Sequence, residues 1–248
     1  MTPSVQLYTV RQHLADDLPG TLKKLADIGY TRVEPYDFVA RVDEFERALP
    51  ANGLSAPTAH APLLSSDPHQ VFEAARRLGI TTVIDPYRPA ELWQDAESIR
   101  ATATALNQAA SIGAEYGIRV GYHNHQWEIA ASIGEHTALE YLAEQLEERV
   151  VLEVDTYWAA VGGVEVLPLL ERLGQRVVAL HFKDGPISTD TRAQQAVGSG
   201  QMPVAQILTA TDHLLHVVEL DDYDGDIFEA LRQSYQYLVA TSGVEGAQ

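Results

Sequence analysis

Short runs rich in β-branched and apolar residues alternate along the chain with longer stretches in which apolar residues recur every three or four positions. The short runs predict strands at Val5–Tyr8, Arg32–Glu34, Ser55–His60, Thr82–Ile84, Arg119–His123, Val150–Val154, Val177–Phe182 and His216–Leu220. Between them the spacing predicts helices near Leu18–Ile28, Val42–Asn52, Pro68–Leu78, Ala90–Tyr116, Ile133–Glu148, Val164–Leu173, Val204–Ala210 and Ile227–Leu238. Leu18, Leu22 and Leu25 show the stripe that such a helix turns to a core. Several helical patterns stop at a glycine, as in Ile28-Gly29 and Leu78-Gly79, where the left-handed conformation ends a helix cheaply.

Unbroken strand–helix alternation implies parallel strands joined by right-handed crossovers. Eight such units are what closes a barrel. An open doubly wound sheet would bring a glycine-rich phosphate turn after the first strand. Here that strand runs into Thr9-Val10-Arg11-Gln12, and no Walker loop appears either. The expectation is therefore an α/β protein forming a single (β/α)8 TIM barrel. The 248 residues match one such domain, 1–248, and no Ser/Gly-rich linker divides them; the one long loop is Asp184–Pro203.

Composition narrows the function classes. The formal charge is −18, from 17 basic and 35 acidic residues, which leaves no basic stripe to grip a phosphate backbone and argues against nucleic acid as a partner. No run approaches the roughly 18 apolar residues of a membrane span, so no membrane partner is expected. Nor does the N-terminus read as a signal peptide, which makes the cytoplasm the default compartment. The absence of cysteine excludes thiolate ligands and thiol nucleophiles. Homo-oligomerisation is compatible with the sequence, although no exposed apolar stripe announces it.

In a barrel the C-terminal strand ends share one mouth. The last four carry Tyr122-His123-Asn124-His125-Gln126-Trp127-Glu128, Leu152-Glu153-Val154-Asp155, Leu180-His181-Phe182-Lys183-Asp184 and Val217-Val218-Glu219-Leu220-Asp221. Asp155, His181 and Glu219 are oxygen and imidazole donors from neighbouring strands, a set suited to one divalent ion: Mn²⁺, Mg²⁺, Co²⁺ or Zn²⁺. The fourth ligand is Glu128 or His123. Glu128 is favoured, with His123 and His125, which alternate onto the same strand face, lying near the substrate.

The sequence resembles the sugar phosphate isomerase/epimerase family with the xylose-isomerase-like barrel. The resemblance rests on Val5-Gln6-Leu7-Tyr8-Thr9-Val10-Arg11, Gly20-Thr21-Leu22-Lys23-Lys24-Leu25-Ala26-Asp27-Ile28-Gly29-Tyr30, Tyr122-His123-Asn124-His125, Leu152-Glu153-Val154-Asp155-Thr156-Tyr157-Trp158, His181-Phe182-Lys183-Asp184 and Val197-Gly198-Ser199-Gly200, in that order. It implies a divalent metal bound by Glu, Asp, His and Glu from strands five to eight, and Asp155, His181 and Glu219 match three of these. Strand five departs: many members carry the glutamate where this chain has His123. Members also often place a histidine three residues after the strand-six aspartate, where this chain has Trp158, either an aromatic wall for sugar stacking or packing.

Ketoses and inososes have a C–H acidified by the adjacent carbonyl, which a metal polarises while a carboxylate or imidazole takes the proton. The expected substrate is thus a small sugar or cyclitol. Proton return isomerises or epimerises it; loss of a β-hydroxyl dehydrates it, so a dehydratase or lyase acting on an inosose or 3-keto-sugar is the alternative. Glu219 and Glu128, or His123 and His125, are the acid–base candidates. Lys183 either stabilises an enediolate oxygen or pairs with Asp184 at the rim. Glu34 and His60 end strands two and three and are candidates for the far side of the mouth. Arg11 and Arg192 sit in no glycine cradle, so a phosphorylated substrate is unsupported. Two rivals remain: an apurinic endonuclease, against which the charge argues, and a non-catalytic metal-binding barrel subunit.

Overall fold

The computed structural model describes residues 2–243. Eight parallel strands lie at β1 Ser4–Gln6, β2 Arg32–Glu34, β3 Thr58–His60, β4 Thr82–Asp85, β5 Arg119–His123, β6 Val150–Asp155, β7 Val177–Phe182 and β8 Leu215–Val218. Their order in the sheet is β2-β1-β8-β7-β6-β5-β4-β3. Single bridges Arg32↔Ser55 and Tyr36↔His60 join the two outer strands, so the sheet is a nearly closed barrel. Helices flank it, and no helix among the described residues is long and apolar enough to cross a membrane.

Most predicted elements recur within a residue or two, and the differences have local causes. The first strand stops at Gln6, because the Gln6 side chain accepts from the Tyr8 amide (3.0 Å) and caps a 3₁₀ turn over Leu7–Val10. The long helix expected from Ala90 is split: Ala90–Trp93 is a 3₁₀ turn, and Asp95 caps the helix Ala96–Glu115 by accepting from Ser98 N. The stretch expected to be helical from Ile133 first makes a small hairpin (Ser132–Ile133 with His136–Thr137), and a Thr137/Glu140 capping box starts the helix Ala138–Gln145. Short helices at Arg11–Asp16, Trp127–Ala130 and Thr156–Val161 follow strand ends and are too brief for periodicity to reveal. Gly29 and Gly79 do adopt positive φ, 126° and 71°.

Strand alternation builds the lumen. Val33, Ala59, Tyr122, Leu152, Leu180 and Val218 pack outward into the apolar layer under the helices. Their neighbours Glu34, His60, His123, Glu153, His181 and Glu219 therefore turn inward, a result of the period of two. Midway down, Gly121 belongs to the inward row. A Cβ there would meet the Ile84 side chain at 3.0 Å and Val151 at 3.3 Å, so the lumen is plugged by tight apolar packing below the mouth.

Candidate active site at the barrel mouth

The inward residues of seven strands, all but β4, meet in one buried network. His181 lies at its centre: Nδ1 is 2.8 Å from Glu219 Oε2, and Nε2 is 2.8 Å from Glu34 Oε1 and 3.0 Å from Glu153 Oε2. His60 Nε2 approaches Glu153 Oε2 at 2.6 Å, and its ring stacks parallel to that of His181. Gln6 Nε2 donates to Glu34 Oε1 (2.7 Å). His123 sits 3.3 Å from Glu153 Oε2 and 3.9 Å from Asp155 Oδ2. One turn higher, the fully buried Lys183 ammonium is 2.9 Å from both Asp155 Oδ2 and Glu219 Oε2, and 2.7 Å from Asp221 Oδ1.

Burial and charge oppose one another throughout this network. Burial alone would push the His181 imidazole down, but Glu153, Glu219 and Glu34 hold it well above its usual range. For His123 burial wins, reinforced by the charge of His181, and the ring is held well below. Burial disfavours the Lys183 cation, yet Asp155, Asp221 and Glu219 keep it firmly charged. Lys183 and His181 in turn hold Glu219 well below the usual carboxylate range against burial. Burial dominates at Asp155 and at Glu34, and raises both.

The donor set fits a divalent ion. His123, Asp155, His181 and Glu219 each offer one atom, all within 4.8 Å of one another; His60, His123, Glu153 and His181 form an overlapping set. Glu34, Glu153, Asp155 and Glu219 are buried carboxylates, only two of them reached by the one lysine, and Glu34 Oε2 and Glu153 Oε1 have no hydrogen-bond partner among the described residues. Uncompensated buried negative charge is costly, and a cation would relieve it. Asp155 uses its other oxygen to cap the helix Thr156–Val161, accepting from Trp158 N at 2.8 Å, which fixes the carboxylate's direction.

Of the residues expected from sequence, Asp155, His181, Glu219, His123, Lys183, Glu34 and His60 are brought together. Glu128 is not. Its two oxygens accept from Tyr122 OH (2.6 Å) and His125 N (2.8 Å), and Tyr122 faces outward against Trp93. The carboxylate is thus drawn behind the strand, and the corner weighed between Glu128 and His123 is occupied by His123. Glu34 is fully buried and touches His181 rather than the open mouth. Lys183 does not pair with Asp184, which instead accepts from Gly185, Gly198 and Met202 amides and ties down the long loop. Arg192 is exposed and lies 3.7 Å from Asp222. Sequence reasoning passed over Glu153, Gln6 and Asp221. Parity held the signal for two: Glu153 and Asp221 stand two residues from Asp155 and Glu219.

Above the network opens a cavity of about 570 Å³ bounded by Tyr8, Tyr36, Tyr87, His125 and Trp158, with His60, His123 and Glu219 at its base. Arg11 also lines it, donating to the carbonyls of Tyr8 (3.1 Å) and Asp221 (2.9 Å). His125 stacks on Trp127, and the Trp158 ring lies 5.4 Å from the Lys183 ammonium. Trp158 Nε1 is buried without a partner among the described residues.

A parallel barrel with buried imidazoles and carboxylates at its C-terminal mouth has the layout of a (β/α)8 enzyme. Residues 22–228 match the family model of the xylose isomerase-like TIM barrel, and the chain belongs to that family. Its fold is shared with a sugar phosphate isomerase/epimerase from Parabacteroides distasonis ATCC 8503 (TM-score 0.81, 22% identity, 98% of this chain and 94% of that one). It is shared also with the probable 3-DHS dehydratase AsbF from Bacillus anthracis (TM-score 0.75, 12% identity, 96% and 99% covered). A third similar structure is the IOLI protein with a bound zinc atom (TM-score 0.74, 16% identity, 100% of both chains). Comparison with curated proteins gives no significant match.

Proposed function

We propose that this protein is a divalent-metal-dependent isomerase or epimerase of a small sugar or cyclitol, acting by proton removal beside a carbonyl through an enediolate. One domain, 1–248, would carry the activity in the cytoplasm. The observation that carries the reading is the buried set His123, Asp155, His181 and Glu219, of which His123 and Glu219 reach the base of an aromatic-walled cavity large enough for a sugar. A divalent ion held by these four residues would supply Lewis-acid polarisation of the substrate carbonyl.

Glu219 takes the proton. Its Oε2 faces His181 and Lys183, which leaves Oε1 for the substrate, and its carboxylate is kept ionised by those two cations. The Lys183 ammonium stabilises negative charge developing on the substrate oxygen. Glu34 and Gln6 act at one remove, orienting His181 through the contact at Nε2. His125, partly exposed on the cavity wall, delivers a proton to the neighbouring carbon or to the opposite face. Trp158 offers an apolar wall to the C–H face of a sugar ring. Elimination is the second reading: Lys183 beside Glu219 could protonate a departing β-hydroxyl, and one neighbour in fold is named a probable dehydratase.

Incubation of the Mn²⁺-loaded protein in D₂O with a panel of ketoses and inososes tests this. Deuterium should enter the carbon beside the carbonyl of at least one member. Glu219→Gln should slow the exchange by about 10²–10⁴-fold, the usual contribution of a positioned base. No exchange and no product across the panel would replace the enzyme with a metal-binding barrel that does not turn over.

A further inference from the structure

The other end of the lumen holds a cavity of about 770 Å³, at the floor of the barrel between the helices Val42–Ala51 and Pro68–Arg77. Strand parity determines its chemistry. Arg32 lies two residues before the inward Glu34, Thr58 two before the inward His60, and Arg119 four before the inward His123, so all three belong to the lumen face. Thr58, Thr82 and Arg119 are also in register across β3, β4 and β5, which sets them side by side at one level.

These side chains make no pairings with one another or with other described residues. Arg32 and Arg119 line the cavity with no hydrogen bond or ion pair among the described residues. Thr58 and Thr82 line it too; both residues are at least nine-tenths buried, and neither hydroxyl has a hydrogen-bond partner among the described residues. The nearby carboxylate, Glu46, is already held by Arg77. Two free guanidinium groups and two orphaned hydroxyls around one cavity, in a chain of net charge −18, make a local reversal of sign.

We propose that the barrel floor is a second ligand site, specific for the phosphate group of a small molecule. Guanidinium groups present forked donors that match phosphate oxygens, and hydroxyls rotate to donate to the same oxygens. The cavity exceeds what one phosphate fills, so a phosphate ester fits it better than free phosphate, although both share this chemistry. The site stands apart from the mouth, separated from it by the Ile84, Gly121 and Val151 plug.

Calorimetric titration of the full chain with inorganic phosphate, a hexose phosphate and the unphosphorylated hexose tests the assignment. The hexose phosphate should bind more tightly than inorganic phosphate, and floor binding should survive in Glu219→Gln. Arg32→Gln and Arg119→Gln, at exposed positions where the fold should persist, should each weaken it by about tenfold, as expected for loss of one charge-assisted contact. Thr82→Val, which keeps shape and removes the hydroxyl, should weaken it by about threefold. Phosphate binding that is lost in Glu219→Gln but kept in both arginine variants would place the anion at the mouth and overturn the proposal. So would the absence of any binding at millimolar concentration, which would leave water as the partner of the two hydroxyls.

Discussion

The two ends of one lumen are built from the same strands and carry opposite chemistry. Glu34, His60 and His123 face the mouth; Arg32, Thr58 and Arg119, roughly 7–13 Å below them at 3.3 Å per residue, face the floor. At the mouth nearly every charged group is buried and leans on an opposite charge, as Lys183 does on three carboxylates. At the floor the arginines are exposed and unpaired among the described residues. Strand parity thus decides which residues share the lumen, whereas depth decides what their charges cost. A charge in the mouth must be balanced, because the interior solvates it poorly; one at the floor is solvated and needs no partner.

The sharpest way to break this comparison is to remove one cation from each end. Lys183→Met should destabilise the protein by about 3–5 kcal/mol in urea denaturation, the usual cost of stranding buried partner charges. Arg119→Met should change stability by no more than about 0.5 kcal/mol, as surface substitutions do. Equal losses at the two ends would show that depth does not separate them.

A smaller effect concerns a group on the outward face of the same barrel. Burial pushes His216 down to about 4 from its ordinary 6.5, and its Nε2 lies near the Thr211 carbonyl and hydroxyl. The imidazole is therefore neutral in the fold across a range where the unfolded chain takes up a proton. Its contribution is fully present above pH 6.5 and is lost as pH falls towards 4, by about 3 kcal/mol over that span. His216→Gln should flatten the stability profile between those values by that amount relative to the parent chain. Parallel profiles would mean that the ring is hydrated in the fold.

Much of this was legible in sequence. Eight strands could be located because their apolar runs end at polar residues and glycines punctuate the helices between them. Asp155, His181 and Glu219 could be read because each follows its strand's apolar core directly. Glu128 misled because its fate hangs on the hydroxyl of Tyr122, which has the opposite parity and draws the carboxylate outward. Glu153 and Gln6 were passed over because their roles depend on partners across the lumen, His60, His181 and Glu34, and periodicity does not say which strands face one another. The same gap hid the floor, where Arg32 and Arg119 come from strands that are not adjacent.

The central claim is that the mouth holds one divalent ion through His123, Asp155, His181 and Glu219. Metal analysis after equilibration with Mn²⁺, Co²⁺, Mg²⁺ or Zn²⁺ and removal of free ion tests it most directly, comparing the parent chain with His181→Ala and Glu128→Gln. The account predicts about one ion per chain in the parent, retention in Glu128→Gln and loss in His181→Ala, as follows when one of four ligands is withdrawn from a closed set. A parent chain that stays empty with all four metals, or a Glu128→Gln variant that loses its ion while His181→Ala keeps it, would contradict it.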